Sequence, residues 1–366
     1  MSQQETYMRQ ALELAKTAMG HTSPNPMVGC VVVKDGKVVA QGCHERYGQF
    51  HAERNALTRC TEDVRGADLY VTLEPCCHQG KTPPCTDIII EKKIGKVYVG
   101  AMDPNPKVAG NGVKILRENG IDVETGILEE ECLKLNEIFF YYIRTGLPYV
   151  AMKYAMTLDG KIASFTGDSK WVTGEKAREH VHLLRKKYSA IMAGVDTVIA
   201  DDPMLNCRIE DGVDPVRVIC DSHLRIPLES QIIKTADRIR TIVAYAGEVE
   251  EEKKSSLEST GVELLRAGEE EQVSLEILFQ KLGEMKIDSV LVEGGGTLHG
   301  SLLKTGLVNR VYAYIAPKLI GGRKAKSPVE GNGFETMADA RMLEHIELLS
   351  LGNDICVKGD FACLPE

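Results

Sequence analysis

Two short groups of residues in this 366-residue chain have types and spacing suited to chemistry. The first is His51-Ala52-Glu53, where an apolar helical pattern begins, and the second is PCCHQGKTPPC at 75–85, which crowds three thiols into eleven residues. A histidine and two thiolates can hold Zn²⁺ and leave a fourth position for water, as catalytic sites do and closed structural sites do not. Such zinc lowers the pKa of the water, which can act as hydroxide near neutrality if a base takes its proton.

Spacing selects among these candidates. Residues i and i+2 point about 200° apart on a helix, so His51 and Glu53 reach one pocket only if it lies over the helix mouth. Cys77 is adjacent to Cys76 and cannot easily share its geometry, which favours Cys76 and Cys85 as thiolate ligands and Glu53 as the base. The order H-x-E, then P-C, is close to the zinc-deaminase signature, with the second thiol displaced by an insertion. A structural zinc site, and iron or another divalent ion, stay open as alternatives.

The elements that must position these residues alternate between helix and strand. Apolar periodicity predicts a helix from Tyr7 to Ala18, and VGCVVVKDGKVVAQG predicts a hairpin that turns at Asp35-Gly36. A helix from about His51, strands at ADLYVTL and KVYVGAM, helices near CTDIIIEKK and VKILREN, and a long helix from Leu128 to Arg144 follow. The sequence TGLP at 145–148 suits the end of that helix, so we predict a domain boundary there.

Beyond this boundary a second alternating series begins. Strands are predicted at YVAMKYA, SAIMAG, VRVICD, TIVAYA, VELLRA and SVLVEG, with helices near GEKAREHVHLLRKK and SLEILFQKL between them. The glycine run in SVLVEGGGTLHGSLL predicts a strand, a turn and a helix start, where backbone N–H groups can approach a phosphate closely. Two α/β domains are therefore expected.

Composition narrows the class of partner and the compartment. A net charge of −9, spread along the chain, disfavours long nucleic acid as a ligand. No run of about 18 apolar residues is present, which predicts no membrane span, and the amino end lacks the pattern of a signal peptide. We therefore expect a cytoplasmic protein, in which clustered thiols favour a metal over a disulfide.

Several stretches together carry a resemblance to a known family. The HAE box, PCCHQGKTPPC, SPNPMVG and DPNPKVAGNG resemble the bifunctional riboflavin-biosynthesis deaminase and reductase, as do KYAMTLDGKIA, TGDSKWVT, GVDTVIADDPMLNCR and APKLIGG. The resemblance covers nearly the whole chain. It implies an α/β protein with a cytidine-deaminase-like layered domain at 1–146, followed by a dihydrofolate-reductase-like α/β domain at 147–366.

For the first domain the resemblance implies His51, Cys76 and Cys85 as zinc ligands and Glu53 as proton shuttle. The implied reaction is hydrolytic deamination of 2,5-diamino-6-(5-phosphoribosylamino)pyrimidin-4(3H)-one, in which one carboxylate can protonate a ring nitrogen and then the departing ammonia. The implied substrate contacts are Asn25, His44, Lys81, Asp103 and Asn105. Each of these could instead only fix a turn or lie at the surface.

For the second domain the resemblance implies NADPH-dependent reduction of the ribosyl chain of 5-amino-6-(5-phosphoribosylamino)uracil to ribityl. The implied cofactor contacts are Ala155, Trp171, Thr197, Asp201, Ser222, Gly294, Gly295, Gly296, Thr297 and Leu298. The implied substrate contacts are Ser169, Arg185, Leu205, Arg208 and Glu293, and two arginines suit a phosphate.

Some details of the second domain stay open. No proton donor is predicted, since Lys153 and Asp159 could polarise the reacting carbon or serve the fold. Thr157 and Asp196 depart from the family pattern. A carboxylate beside Thr197 would repel a nucleotide phosphate, so Asp196 is expected to point to solvent.

Two other functions fit part of the pattern. A nucleoside, base or tRNA deaminase with an unrelated second module would need the HAE and cysteine boxes only. A nucleotide-sensing protein could use the zinc as a structural staple, which would make Glu53 dispensable. The resemblance favours an enzyme acting on a small phosphorylated pyrimidine, and it implies a homo-oligomer, either a dimer or a tetramer.

Overall fold

Both halves of the chain build a sheet with helices packed on it. The structure, a computed structural model, describes residues 2–105 and 108–361. The chain divides into two units, Met1–Gly146 and Leu147–Glu366. Across the described residues, no helix has the length and apolar character needed to cross a bilayer.

The sheet of the first unit has five strands in the order β2-β1-β3-β4-β5. The strands are β1 Gly29–Lys34, β2 Lys37–Cys43, β3 Asp68–Leu73, β4 Lys96–Ala101 and β5 Asp122–Thr125. β1 is antiparallel to β2 and to β3, whereas β3, β4 and β5 are parallel. The β1–β2 hairpin turns at Asp35 and Gly36, whose φ values of 50° and 75° explain the Asp-Gly pair.

Six helices accompany this sheet. They are α1 Gln3–Lys16, α2 Ala52–Arg59, α3 Cys85–Glu91, α4 Asn111–Glu118, α5 Glu129–Leu135 and α6 Glu137–Thr145. Helix α1 begins earlier than its apolar pattern because Ser2 and Glu5 form a capping box. It lies directly on β1, since a Cβ on Gly29 would stand 1.9 Å from the Ala11 carbonyl oxygen.

The prediction of one long helix from Leu128 to Arg144 is wrong. The chain forms α5 and α6 instead, with a break at Asn136, whose φ is −110°. The Asn136 side chain accepts a hydrogen bond from the Met27 N–H at 2.8 Å and donates to the Met27 carbonyl at 2.9 Å. The break therefore holds the SPNPMVG segment, and Gly146 ends α6 in the left-handed region as predicted.

The second unit has a nine-stranded sheet in the order β10-β9-β8-β7-β11-β6-β12-β14-β13. The strands are β6 Tyr149–Thr157, β7 Ala190–Gly194, β8 Val216–Cys220, β9 Thr241–Tyr245, β10 Glu263–Arg266, β11 Ser289–Gly294, β12 Val308–Ala316, β13 Leu343–Leu351 and β14 Asp354–Phe361. From β10 to β12 all neighbours are parallel, and β14 and β13 add an antiparallel edge. The sequence did not predict β12, β13 or β14.

Helices lie between most of these strands. They are α7 Glu175–Lys187, α8 Val195–Asp201, α9 Gln231–Lys234, α10 Glu251–Glu258, α11 Leu275–Glu284 and α12 Gly296–Thr305. The central parallel strands β7, β8, β9 and β11 are buried on both faces, as in other sheets covered by helices. Because β6, β7 and β11 are parallel neighbours, their carboxyl ends meet at one edge of the sheet, where a ligand crevice is expected.

Candidate active sites

The histidine and two of the thiols in the opening pattern meet in the first unit. The ligand atoms of His51, Cys76 and Cys85 all lie within 4.8 Å of one another. His51 Nδ1 is 3.4 Å from Cys76 Sγ and 3.6 Å from Cys85 Sγ. One imidazole nitrogen and two sulfurs around a common point fit a tetrahedral zinc ion with one position left for water.

The local backbone explains why these residues converge. His51 is the N-cap of α2, so its side chain and that of Glu53 both lie at the mouth of that helix. Cys76 caps α3, since its carbonyl accepts the N–H groups of Cys85 and Thr86 at 3.0 and 3.2 Å. The insertion between the thiols therefore forms a closed loop that returns Cys85 to Cys76.

Hydrogen bonding between the thiols separates their acidities. The bond from the Cys85 thiol holds the pKa of Cys76 well below its ordinary value, and the neighbouring His51 adds to this effect. The same bond, together with burial, raises the pKa of Cys85. The two cysteines thus form a thiolate beside a thiol and carry one negative charge. As two thiolate ligands of a zinc ion they would carry two.

Glu53 lies beside this cluster and is only 3% exposed. Burial, and then the negative charge of Cys76, raise the pKa of Glu53. Its carboxylate is hydrogen-bonded to the Cys85 thiol. A buried carboxyl group with a raised pKa, next to a candidate metal site, can accept and return a proton.

The cluster opens into a cavity of about 250 Å³. All five predicted substrate residues line it, namely Asn25, His44, Lys81, Asp103 and Asn105. His44 Nδ1 is 3.0 Å from the Phe50 carbonyl, so it donates there, and Nε2 accepts the Asn25 amide at 3.2 Å. Burial lowers the pKa of His44, which fits this neutral form.

Two further lining residues have side chains of opposite charge type, the base Lys81 and the acid Asp103. Lys81 Nζ sits 3.9 Å from the ring centroid of Tyr47, a cation–π contact. Burial raises the pKa of Asp103 to about 6, although the Asn105 N–H that it accepts acts in the other direction. The pocket thus offers a cation, amides and a protonatable carboxyl to a polar ring.

Sequence reasoning missed other lining residues of this cavity. Tyr47, Glu74 and His78 all face it. His78 and Glu74 flank Cys76 in the sequence, so proximity to the thiol was the one signal that could have found them. Tyr47 stands alone in a loop and carries no such signal.

The second unit holds a larger cavity of about 450 Å³ at the carboxyl ends of β6, β7 and β11. Nine of the ten predicted cofactor residues line it: Ala155, Trp171, Thr197, Asp201, Gly294, Gly295, Gly296, Thr297 and Leu298. Ser169, Arg185, Arg208 and Glu293, predicted for substrate, line it too. Leu205 is buried in the core, and the Ser222 hydroxyl accepts the Val273 N–H.

The floor of this cavity is a buried ion cluster. Arg185 binds the Glu293 carboxylate through two nitrogens at 2.7 and 2.8 Å, and Lys153 Nζ lies 3.8 Å from it. Burial alone would raise the pKa of Glu293, but the charges of Arg185 and Lys153 hold it at about 2. Burial lowers the pKa of Lys153. Both cations therefore face a permanent anion.

The glycine turn approaches its neighbours too closely for side chains. A Cβ on Gly294 would stand 3.1 Å from the Thr197 hydroxyl oxygen, and one on Gly296 would stand 2.8 Å from the Ser327 carbonyl oxygen. Gly295 has a φ of 90°, which favours glycine, and it is the N-cap of α12. This backbone fits the close approach of a phosphate of NADPH to the start of that helix.

The structure shows the contacts of Asp159 and Asp196, two residues whose roles the sequence left open. The Asp159 carboxylate accepts the N–H groups of Ile320 and Gly321 at 3.2 and 2.7 Å and the Thr157 hydroxyl at 2.6 Å, which serves the fold. Asp196 is mostly exposed, as expected, and pairs with Arg225 at 2.7 Å. The carboxylate at 196 is thus neutralised at the rim of the cavity.

Known protein families match both units of the chain. Residues 1–101 match the cytidine and deoxycytidylate deaminase zinc-binding region, and residues 148–357 match the RibD C-terminal domain. The chain is 53% identical over 350 residues to riboflavin biosynthesis protein RibD of Actinobacillus pleuropneumoniae, covering 95% of this chain and 93% of that protein. The chain belongs to the RibD family.

Solved structures support this membership. RibD of Acinetobacter baumannii superposes with a TM-score of 0.88 at 38% identity, over 98% of this chain and 99% of that one. A diaminohydroxyphosphoribosylaminopyrimidine deaminase/5-amino-6-(5-phosphoribosylamino)uracil reductase of Thermotoga maritima gives 0.88 at 39% identity, with the same coverage.

Membership in the RibD family decides several predictions. The fold class is confirmed: an α/β chain with a cytidine-deaminase-like region followed by a dihydrofolate-reductase-like one. The predicted pair of activities in riboflavin biosynthesis is also confirmed, a zinc-dependent deaminase and an NADPH-dependent reductase. The readings as a tRNA deaminase or a nucleotide sensor are therefore set aside.

Proposed function

We propose that unit Met1–Gly146 deaminates 2,5-diamino-6-(5-phosphoribosylamino)pyrimidin-4(3H)-one and that unit Leu147–Glu366 reduces 5-amino-6-(5-phosphoribosylamino)uracil. The observation that carries the proposal is the convergence of the ligand atoms of His51, Cys76 and Cys85 at a cavity that His51, Cys76 and Glu53 line. The printed name of the Thermotoga maritima relative supports the choice of substrates.

In the deamination, His51, Cys76 and Cys85 would hold the metal. Zinc in such a site lowers the pKa of water and so supplies a nucleophile near neutrality. Glu53 takes one proton of that water and gives it to a ring nitrogen. It then takes the second proton from the hydroxyl group of the adduct and gives it to the departing amine, so that a carbonyl forms. The balance is one water consumed, one C–O bond formed, one C–N bond broken and one ammonia released.

The remaining residues of the first cavity orient the ring. Asn25 and Asn105 offer amides, and His44 is fixed in one tautomer by the Phe50 carbonyl. Asp103 supplies a carboxyl group. Lys81, which lines the same cavity, is the cation that we assign to the substrate phosphate.

In the reduction, the glycine turn and α12 bind the cofactor. NADPH supplies the reducing equivalents when bound. Thr197 and the Gly294–Leu298 segment position its phosphates, and Trp171 offers an aromatic face at the rim. Arg185, Arg208, Ser169 and Glu293 hold the substrate. The reduction places one hydride on C1 of the ribosyl chain and breaks the ring C1–O bond, and one proton completes the new hydroxyl group.

We also propose a cytoplasmic homo-oligomer, a dimer or a tetramer, that acts on a small phosphorylated pyrimidine. The free thiols support a reducing compartment, since the cysteines among the described residues form no disulfide. Light scattering coupled to gel filtration measures the subunit number, and a monomer at micromolar concentration would contradict the oligomer.

The test of the two activities follows ammonia release and NADPH absorbance together on the diamino substrate. We expect both signals from the wild type, and in Glu53→Ala a fall in ammonia release of about 10²–10⁴ with zinc retained. The control Glu13→Ala removes an exposed carboxylate of α1 and should change neither signal. Retention of full turnover in Glu53→Ala would make the zinc site structural.

A further inference from the structure

Glu74 is a buried carboxylate that the reaction scheme does not use. It follows β3, comes two residues before Cys76, and is 3% exposed. It lines the deaminase cavity. Burying a charged carboxylate is costly unless its oxygens are hydrogen-bonded, so its contacts identify what it does.

Three backbone N–H groups donate to this carboxylate. Oε2 accepts from Asp103 at 3.3 Å and from Gly110 at 3.0 Å, and Oε1 accepts from Val113 at 3.2 Å. One side chain thus binds the backbone at Asp103, at Gly110 and in the first turn of α4. Hydrogen bonds to an ionised carboxylate are stronger than those to a neutral acceptor.

The same segment lies against the metal-binding loop through its backbone. A Cβ on Gly112 would stand 2.1 Å from the Pro75 carbonyl oxygen and 3.1 Å from Glu74 Oε1. Only a glycine permits that approach. The segment that carries Asp103 and Asn105 is therefore fastened to the residues that immediately precede Cys76.

We propose that Glu74 is a positioning residue of the deaminase, which fixes the backbone at Asp103, Gly110 and Val113 so that Asp103 and Asn105 face the cavity before substrate binds. The proposal rests on the proposed function of the first unit. A preset segment loses little conformational freedom on binding, so its loss should weaken substrate binding more than it slows the chemical step.

Two substitutions at Glu74 separate the effect of its negative charge from the effect of its side-chain length. In Glu74→Gln one oxygen becomes an NH₂ group, which faces an N–H donor instead of accepting from it. In Glu74→Asp the charge stays but the shorter side chain cannot reach all three donors. The matched control is Glu124→Gln, an exposed carboxylate on β5 that pairs with Lys96.

The experiment measures deaminase kcat and KM, zinc content, and reductase activity assayed directly on the deaminated substrate. We expect the deaminase KM to rise about tenfold or more in Glu74→Gln, the loss of roughly one charge-assisted hydrogen bond. kcat should stay within about threefold, a range too small to indicate a lost catalytic group. Glu74→Asp should give a smaller rise, and zinc content and reductase rate should match the wild type.

A second readout reports the segment itself. Without substrate, the amides of Asp103, Gly110 and Val113 should exchange hydrogen faster in Glu74→Gln than in the wild type or Glu124→Gln, because one acceptor oxygen is replaced and the other has lost its charge. A purely structural role would instead accelerate exchange throughout the unit.

Three results would overturn the proposal. An unchanged KM in both variants shows that Asp103 and Asn105 are held in place without Glu74. Loss of zinc together with kcat in both variants shows that Glu74 stabilises the metal loop or the unit as a whole. A fall in kcat at constant KM assigns it to the chemical step. If the wild type itself releases no ammonia, the proposed function has failed, which is a different result.

Discussion

The two cavities of this chain are built in different ways. In the first unit, side chains of fixed type converge: one imidazole, two thiols and one carboxyl group within a small space. In the second unit, the face that we propose for the cofactor is mostly backbone at a glycine turn, and the proposed substrate face includes the ion cluster of Arg185, Glu293 and Lys153.

The difference follows from the chemistry each site performs. Metal binding and proton transfer need particular atoms, so replacing one side chain removes the function. Cofactor binding needs shape and N–H donors, which any residue supplies if the backbone allows it. Single substitutions should therefore abolish the first activity but weaken the second by degrees.

The largest effect is expected at Cys85. In Cys85→Ala only two ligands remain, His51 and Cys76, which are too few for a stable zinc site. Zinc content and ammonia release should therefore both fall to background. Metal analysis and the ammonia assay measure this. Reductase activity on the deaminated substrate should persist.

Cys77→Ala is the matched control for that substitution, because Cys77 is adjacent to Cys76 but is not among the three clustered ligands. It should keep one zinc per chain and most of its turnover. Zinc loss in Cys77→Ala with retention in Cys85→Ala would reverse our choice of ligands.

The next largest effect concerns stability and pH. The pKa of Glu293 is held at about 2, below its ordinary value of 4.5, which corresponds to about 3 kcal/mol of folding free energy at neutral pH. Because the folded value is the lower one, this contribution is present above about pH 4.5 and is lost as pH falls through about 2.

Glu293→Gln should therefore lower the free energy of unfolding of the second unit by about 3 kcal/mol at pH 7, and by less at pH 3. Urea unfolding followed by the fluorescence of Trp171, the only tryptophan, measures it. A difference between variant and wild type that does not shrink at pH 3 would show that packing, not charge, dominates.

A smaller effect is expected at the glycine turn. Gly295 has a φ of 90°, so Gly295→Ala adds strain of about 1–2 kcal/mol and places a methyl group where the phosphate approaches. The Kd of NADPH, followed by quenching of Trp171, should rise about tenfold.

The control for Gly295 lies at the other end of α12. Gly306 has a φ of 71° and caps the helix away from the residues that line the cavity. Gly306→Ala should cost similar stability but leave the Kd of NADPH within about twofold. Equal weakening by both variants would assign the effect to the helix and not to the phosphate site.

The smallest effect is expected at the Asp196–Arg225 pair. Both side chains are largely exposed, 75% and 51%, so Asp196→Ala should change the free energy of unfolding by less than about 1 kcal/mol. NADPH titration should also give a Kd within about threefold of the wild type. A tenfold tighter Kd would show that the carboxylate repels the cofactor after all.

Much of the fold was readable from the sequence because local patterns matched the final structure. The Asp35-Gly36 hairpin, the Gly146 cap and most of the parallel strands followed from turn residues and apolar runs. The break at Asn136 was not readable, because its side chain bonds Met27, more than a hundred residues earlier. Strand β13 was missed because its apolar residues Ile346 and Leu348 are exposed, against the usual pattern.

The sequence by itself determined the chemistry of the first cavity, because zinc and proton transfer require residue types that few other patterns supply. Only the tertiary structure decided which residues meet. Glu74 accepts hydrogen bonds from the N–H groups of Asp103, Gly110 and Val113, and Glu293 pairs with Lys153 and Arg185. These contacts join strands and loops far apart in the chain. These hydrogen bonds and ion pairs form only after the sheets have assembled, so no local sequence pattern predicts them.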